Sequence, residues 1–194
     1  MSHSQHKIPQ SFYSRDELNQ IGLKSFGENV LISRKASIYA PQNIELGNHV
    51  RIDDFSLLSG GQGITFGNYV HISAYAAIYG GGTVTMEDYT GLSPRATILS
   101  ESDDFKGDSM IGPFFSKTLK PKYHSSPVFL RRFSQVGAHS IIMPGVELKQ
   151  GAVVGGNSFV NNTCEAWGIY AGSPAKWIRE RQQTVMQLQK SSME

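Results

Sequence analysis

The sequence predicts an all-β solenoid, a parallel β-helix coiled from six-residue steps, and three observations predict it. First, aliphatic or aromatic residues fall six apart at Leu46, Ile52 and Leu58, at Phe66, Ile72 and Ile78, and at Met86, Leu92 and Ile98. Second, each group begins twenty residues after the last and its neighbours repeat as well: Gly47-Asn48-His49-Val50 is answered by Gly67-Asn68-Tyr69-Val70 and, more loosely, by Glu87-Asp88-Tyr89-Thr90. Third, after a break the six-residue step returns at Leu130, Val136, Ile142, Leu148, Val154 and Val160. A period of six fits neither a helix nor a long strand, but it fits short strands joined by sharp corners. Three such edges close one coil. The anchors point inward, and stacked coils bury a column that no single coil could bury alone. Small residues fill the place four after each anchor, at Ser56, Ala76 and Ala96 and then at Ser134, Ser140, Val146, Ala152 and Ser158.

The elements follow in order. Residues 1–30 form an N-terminal segment in which Ser14 and Glu17 make a capping-box signature ahead of Leu18 and Ile21, which predicts a short helix beside the first coil. Residues 31–172 form the prism. Within it, 101–127 lacks the period, contains Gly107, Gly112, Pro113 and Pro121, and is longer than a structural connection requires, so it reads as a functional excursion. Residues 173–194 are expected to start a helix at Ser173 and Pro174 that runs through Trp177, Ile178 and Val185 and covers the last coil.

Composition narrows the function. The chain has 194 residues, 39% apolar and 18% charged with 20 glycines, which suits one globular domain rich in turns. A formal charge of +2 with no basic stripe argues against nucleic acid. Cys164 is the only cysteine, which excludes an internal disulfide and fits a reducing compartment. Residues 1–12 carry no apolar run and no later segment is long and apolar enough to span a bilayer, so a cytoplasmic location is expected and no membrane segment.

The segment Ala171-Gly172-Ser173-Pro174-Ala175-Lys176, together with the hexapeptide anchors from Ile32 to Arg181, resembles the hexapeptide-repeat acyltransferases. The match is to the galactoside, maltose and xenobiotic acetyltransferase branch and the related sugar acetyltransferases of capsule and lipopolysaccharide synthesis. The resemblance implies a left-handed β-helix, acetyl-CoA as acyl donor, no metal, and a homotrimer whose active sites lie between neighbouring prisms. It implies that Lys176 and Arg179 supply positive charge to the cofactor phosphates, and that the edge amides of Ala138 and Gly156 face the pantetheine arm. Asn161 and Asn162 stand where the family often has threonine and lysine.

At the acceptor end the family's histidine base has its place taken by Asp103. His71 lies in an outward position, with Gly91 one coil later leaving room beside the imidazole. The expectation is therefore that His71 is the base and that Asp103 or Asp104 orients it or binds the acceptor, because a sugar hydroxyl attacks a thioester only as its proton leaves. An amine acceptor is the alternative, since a neutral amine is itself nucleophilic and the aspartates need then only orient it. Phe105, Tyr123 and His124 are the further candidates for acceptor contacts. The favoured expectation is O-acetylation of a free, lipid-linked or nucleotide-linked sugar, with N-acetylation of a sugar nucleotide second and a non-catalytic scaffold third. A zinc-dependent β-helical carbonic anhydrase is set aside because no two coil histidines have that family's five-residue spacing.

Overall fold

The computed structural model describes residues 10–191. Residues 1–9, and with them most of the stretch read for a leader and the start of the N-terminal segment, lie outside the described residues, as do 192–194. Helix α1 spans Arg15–Ile21 with the capping box formed: Ser14 accepts from the Glu17 backbone N–H, and the Glu17 carboxylate accepts from the Ser14 N–H at 2.7 Å. Gly22 ends the helix in the left-handed conformation at φ 83°, the usual glycine stop. Leu18 is buried against the first coil.

From there the chain winds into a parallel β-solenoid of about seven turns. The first face stacks Ser25–Phe26, Ile44–Leu46, Ile64–Phe66, Val84–Met86, Val128–Leu130 and Glu147–Leu148. The second stacks Leu31–Ile32, Arg51–Ile52, His71–Ile72, Gly91–Leu92, Gln135–Val136, Val153–Val154 and Gly168–Ala171. The third stacks Ser37–Tyr39, Leu57–Ser59, Ala77–Tyr79, Thr97–Leu99, Ile141–Ile142 and Phe159–Val160. The prism thus begins at Ser25, before the residue 31 boundary expected from the anchors.

Anchors align coil to coil. Ile32, Ile52, Ile72, Leu92, Val136 and Val154 pair in register as one interior column, each at most 1% exposed. Burial of each such side chain contributes roughly 1.5–3 kcal/mol before conformational entropy is charged against it. This column and its equally buried counterparts on the other two faces are therefore the main cohesive element.

The corner between the first and second faces turns through positive φ at Asn29, His49, Tyr69, Tyr89, Phe133 and Trp167. Side chains other than glycine resist this conformation by about 1–2 kcal/mol each. Inter-coil hydrogen bonds such as Tyr69 N–H to Asn48 C=O at 2.9 Å oppose that cost, and the rings stack: His49 on Tyr69 at 4.5 Å, Tyr69 on Tyr89 at 4.9 Å, Tyr89 on Phe133 at 5.2 Å. Gly151 holds the next place. A β carbon there would lie 2.3 Å from the Trp167 ring, so its absence lets Trp167 fold down toward Phe133 and complete the ladder.

The excursion leaves the prism at the corner between the third and first faces. Glu101–Ser102 pairs antiparallel with His124–Ser125 to close its neck, and Lys117–Leu119 makes a short 3₁₀ turn inside it.

The C-terminal part differs from expectation. Lys176–Glu180 is not a helix but an antiparallel strand that pairs with Gly168–Ala171 and ends the second face. Among the described residues of this part only Thr184–Ser191 is helical, forming α2 with no buried residue. The physical reason is an open strand edge: Gly168–Ala171 presents unpaired N–H and C=O groups, and a following segment containing Trp177 and Ile178, good strand formers, closes it.

Candidate active site

Outward side chains of the second face form a second column, on the opposite side of the strands from the apolar one. Arg51, His71, Gly91, Gln135, Val153 and Ile169 occupy successive rungs. His71 sits second in this series, exposed, with Nε2 2.7 Å from Asp53 Oδ2. Arg51 Nε donates to the other carboxylate oxygen at 2.7 Å. Burial pushes the Asp53 carboxyl up, but the hydrogen bonds from His71 and Arg51 outweigh it and hold the group below the usual carboxylate range. His71 Nδ1 meets no partner among the described residues, so it is the ring nitrogen left to meet a substrate proton.

Within one chain the carboxylate that meets His71 is therefore Asp53 rather than Asp103 or Asp104. Within one chain these aspartates sit at the corner between the third and first faces, and in a three-sided prism that corner is opposite the second face. Asp103 instead pairs with Lys120 at 2.5 Å and accepts from the Gly112 N–H at 3.2 Å; Lys120, above all, holds its carboxyl below the usual range. Asp104 caps its own loop, accepting from the N–H groups of Lys106 at 3.0 Å and Asp108 at 2.7 Å, and the Lys106 bond is the largest cause of its lowered value.

Two recesses share Asp103. One, of about 320 Å³, is lined by Tyr79, Leu99, Pro113, Lys120 and Tyr123. The other, of about 540 Å³, is lined by Asp104, Phe105, Lys106, Lys122 and His124. Phe105 is exposed and presents a free ring. Tyr123 is held more firmly: it donates to Glu101, lies under Lys120 at 4.6 Å, and burial followed by the Glu101 bond raises its hydroxyl well above the usual range. Its structural part is to pin the loop. His124 belongs to the neck of the excursion.

The corner between the second and third faces carries Asp54, Ala74, Pro94, Ala138 and Gly156 on successive coils. The residue after each of the last four sends its N–H along the stack: Tyr75 to Asp54, Arg95 to Ala74, His139 to Pro94 and Asn157 to Ala138, at 2.8–3.2 Å. The N–H groups of Ala138 and Gly156 themselves donate to nothing among the described residues. They form two adjacent rungs of unused donors. Behind them the coils pack too closely for side chains, since a β carbon at Gly137 would lie 2.6 Å from the Gly156 nitrogen. This ledge can hydrogen-bond a chain of amides lying along the prism.

Lys176 and Arg179 were expected to bring positive charge from a terminal helix, and the strand that replaces it places them together. Lys176 lies across from Ala171 and Arg179 across from Ile169, with a bulge between. Directly opposed residues share a face, and Ala171 and Ile169 lie two apart on a strand, so both cations project outward on the side of His71. Asn161 and Asn162, by contrast, follow the last strand of the third face and lie at the opposite corner from the ledge, where Asn162 Nδ2 donates to Asn161 at 2.9 Å. Sequence reasoning missed Asp53 and Gln135. Asp53 had a readable signal, as the charged residue at the corner place filled one coil later by Ser73; Gln135 had none.

A coiled prism with an unused amide ledge, two cations at its end and an outward imidazole–carboxylate pair defines an acyl-CoA-dependent acyltransferase. The chain belongs to the hexapeptide-repeat, left-handed β-helix acyltransferases. It is 41% identical over 174 residues, covering 89% of this chain and 90% of the relative, to the dTDP-4-amino-4,6-dideoxy-D-glucose acyltransferase of Escherichia coli. It is also similar to AntD, an N-acyltransferase from Bacillus cereus. A variant of AntD in complex with dTDP-4-amino-4,6-dideoxyglucose and coenzyme A is 42% identical, with a TM-score of 0.91 over 94% of this chain and 97% of that one. A further AntD structure holds dTDP and 3-hydroxybutyryl-CoA. The xenobiotic branch is represented more thinly, by a chloramphenicol acetyltransferase of Klebsiella aerogenes, 32% identical over 69 residues, 36% of this chain and 33% of the relative. No family model matches the chain.

Proposed function

We propose that this protein transfers an acyl group from acyl-CoA to the amino group of a dTDP-linked amino-dideoxyhexose. The observation that carries this reading is the likeness, across nine-tenths of both chains, to an acyltransferase of a dTDP-4-amino sugar. It replaces the favoured O-acetylation with the amine alternative. The acceptor is then nucleotide-linked, and the product would feed surface polysaccharide assembly in the cytoplasm.

In this reading the cofactor phosphates meet Lys176 and Arg179, and the pantetheine amides lie on the Ala138–Gly156 ledge. The thioester comes down the second face toward His71. Between the rung of Arg179 and that of His71 there are five steps of about 4.8 Å, about 24 Å in all, a length that an extended phosphopantetheine chain spans to order of magnitude. The acceptor amine is protonated in part at neutral pH and must shed a proton to attack. His71, steadied by Asp53, accepts it; the amine nitrogen bonds to the thioester carbon, the C–S bond breaks, and the proton that the nitrogen gives up on becoming an amide passes to the departing thiolate, so coenzyme A leaves as the thiol. Phe105, Lys106, Lys122 and His124 of the excursion face the nucleotide. The working unit is a homotrimer in which the excursion of one copy, with Asp103, reaches the second face of the next.

The test supplies purified protein with acetyl-CoA and dTDP-4-amino-4,6-dideoxyglucose while free thiol is followed. dTDP-glucose, which carries a hydroxyl at the same carbon, is the control. Thiol release that requires the amine, with a product heavier by one acetyl group, supports the reading. Equal rates with dTDP-glucose, or no release with any dTDP-amino sugar, would overturn it.

A further inference from the structure

The gap at Gly91 is not empty. Glycine interrupts the outward column between His71 and Gln135, and the carboxamide of Gln135 folds down from the coil above into the space a side chain would take. A β carbon at Gly91 would lie 2.9 Å from Gln135 Oε1, 3.2 Å from Nε2 and 3.3 Å from the His71 carbonyl oxygen. Nε2 is 3.5 Å from Ser93 Oγ, which sits at the neighbouring corner. A glutamine at a half-exposed strand position ordinarily extends into water, where its amide is fully hydrated. Here it lies along the sheet, one rung above the imidazole.

That rung is the place where the reactive carbonyl must come if His71 is the base. The ledge runs down the adjacent corner and the imidazole stands below, so the acyl chain beyond the carbonyl has to extend along the outer face, against the Gln135 amide. We propose that Gln135 selects the acyl group: its carboxamide roofs the slot over Gly91 and admits acetyl while opposing longer chains. A longer chain has two courses. It displaces the amide, which gives up its contacts over Gly91, or it turns out into water and loses the burial that each methylene would gain. Discrimination over one methylene in such a slot typically amounts to 10- to 200-fold in kcat/KM. The inference rests on the transferase reading above.

The experiment compares kcat/KM for acetyl-, propionyl- and butyryl-CoA at saturating amino sugar in the wild type and in Gln135→Ala and Gln135→Asn. The expected wild-type order falls with chain length. Gln135→Ala is expected to raise the butyryl-to-acetyl ratio tenfold or more, with Gln135→Asn between the two because its amide is one carbon shorter. Gln135 lies on the outside of the prism, and a thermal melt matching wild type establishes that each variant is folded. A wild type that prefers butyryl-CoA, or an active, folded Gln135→Ala with an unchanged ratio, overturns the acyl selection and leaves the transferase standing. A wild type silent with every acyl-CoA removes the transferase reading and this one with it.

Discussion

Replacing Asp53 by asparagine isolates the contribution of the carboxylate that holds His71. Asparagine keeps the shape but offers one acceptor oxygen in place of two, so His71 Nε2 and Arg51 Nε, each 2.7 Å from its own oxygen in the native protein, must compete for it. A hydrogen bond to a charged group contributes about 1.5–3 kcal/mol net. The side chain of His71 is 51% exposed, so solvent screening brings the contribution below that range, to about 1–1.5 kcal/mol. At about 1.4 kcal/mol per decade this is roughly a five- to twelvefold fall in kcat. KM for acyl-CoA should hold, because the ledge and the terminal cations are untouched. Steady-state kinetics measures both. Unchanged kcat would refute the assignment of Asp53 as a positioning residue for His71.

Three further outcomes are expected. In the double variant Lys176→Ala/Arg179→Ala, KM for acetyl-CoA should rise about tenfold or more through lost charge-assisted bonds. The same variant should leave KM for an acetyl-pantetheine thioester, which has no phosphates, unaffected. Gly151→Ala forces a β carbon to 2.3 Å from the Trp167 ring at a position of φ +71°; the strain of about 1–2 kcal/mol and the disturbed ring pair at about 0.5–1.5 kcal/mol together lower Tm by roughly 3–14 °C, read by differential scanning calorimetry. Glu17 is lowered from 4.5 to about 2, chiefly by the Arg34 hydrogen bond and then by the Ser14 N–H. A depressed folded value means its stabilisation of α1 is full above about 4.5 and is lost as pH falls toward about 2. Acid titration of helical circular dichroism should show this, and Glu17→Gln should flatten the transition in that window.

Several parts of the site were legible as residues but not as arrangements. His71 and Gly91 could be placed on adjacent coils because the twenty-residue period fixes the register, and the structure pairs them. The same period also puts Asp53 one coil below Ser73, yet nothing in the spacing says whether its side chain turns toward His71 or away. Asp103 and Asp104 were assigned to His71 on proximity in sequence, but within one chain they do not meet it, because the excursion leaves from the corner opposite the second face. Lys176 and Arg179 were expected in a helix and lie on one face of a strand instead, through the bulge in the terminal hairpin.

By itself the sequence determined the coil, its interior column, the capped N-terminal helix and the existence of the excursion, because each depends on side chains at short, regular separations whose burial or capping is a local matter. Only the tertiary structure decided that the terminal segment closes an open strand edge, that Asp53 grips His71, and that Gln135 folds over Gly91. Those contacts join residues on different coils, in the last case 44 positions apart across an insertion of arbitrary length. Their geometry is set by how the coils stack, and no spacing rule encodes it.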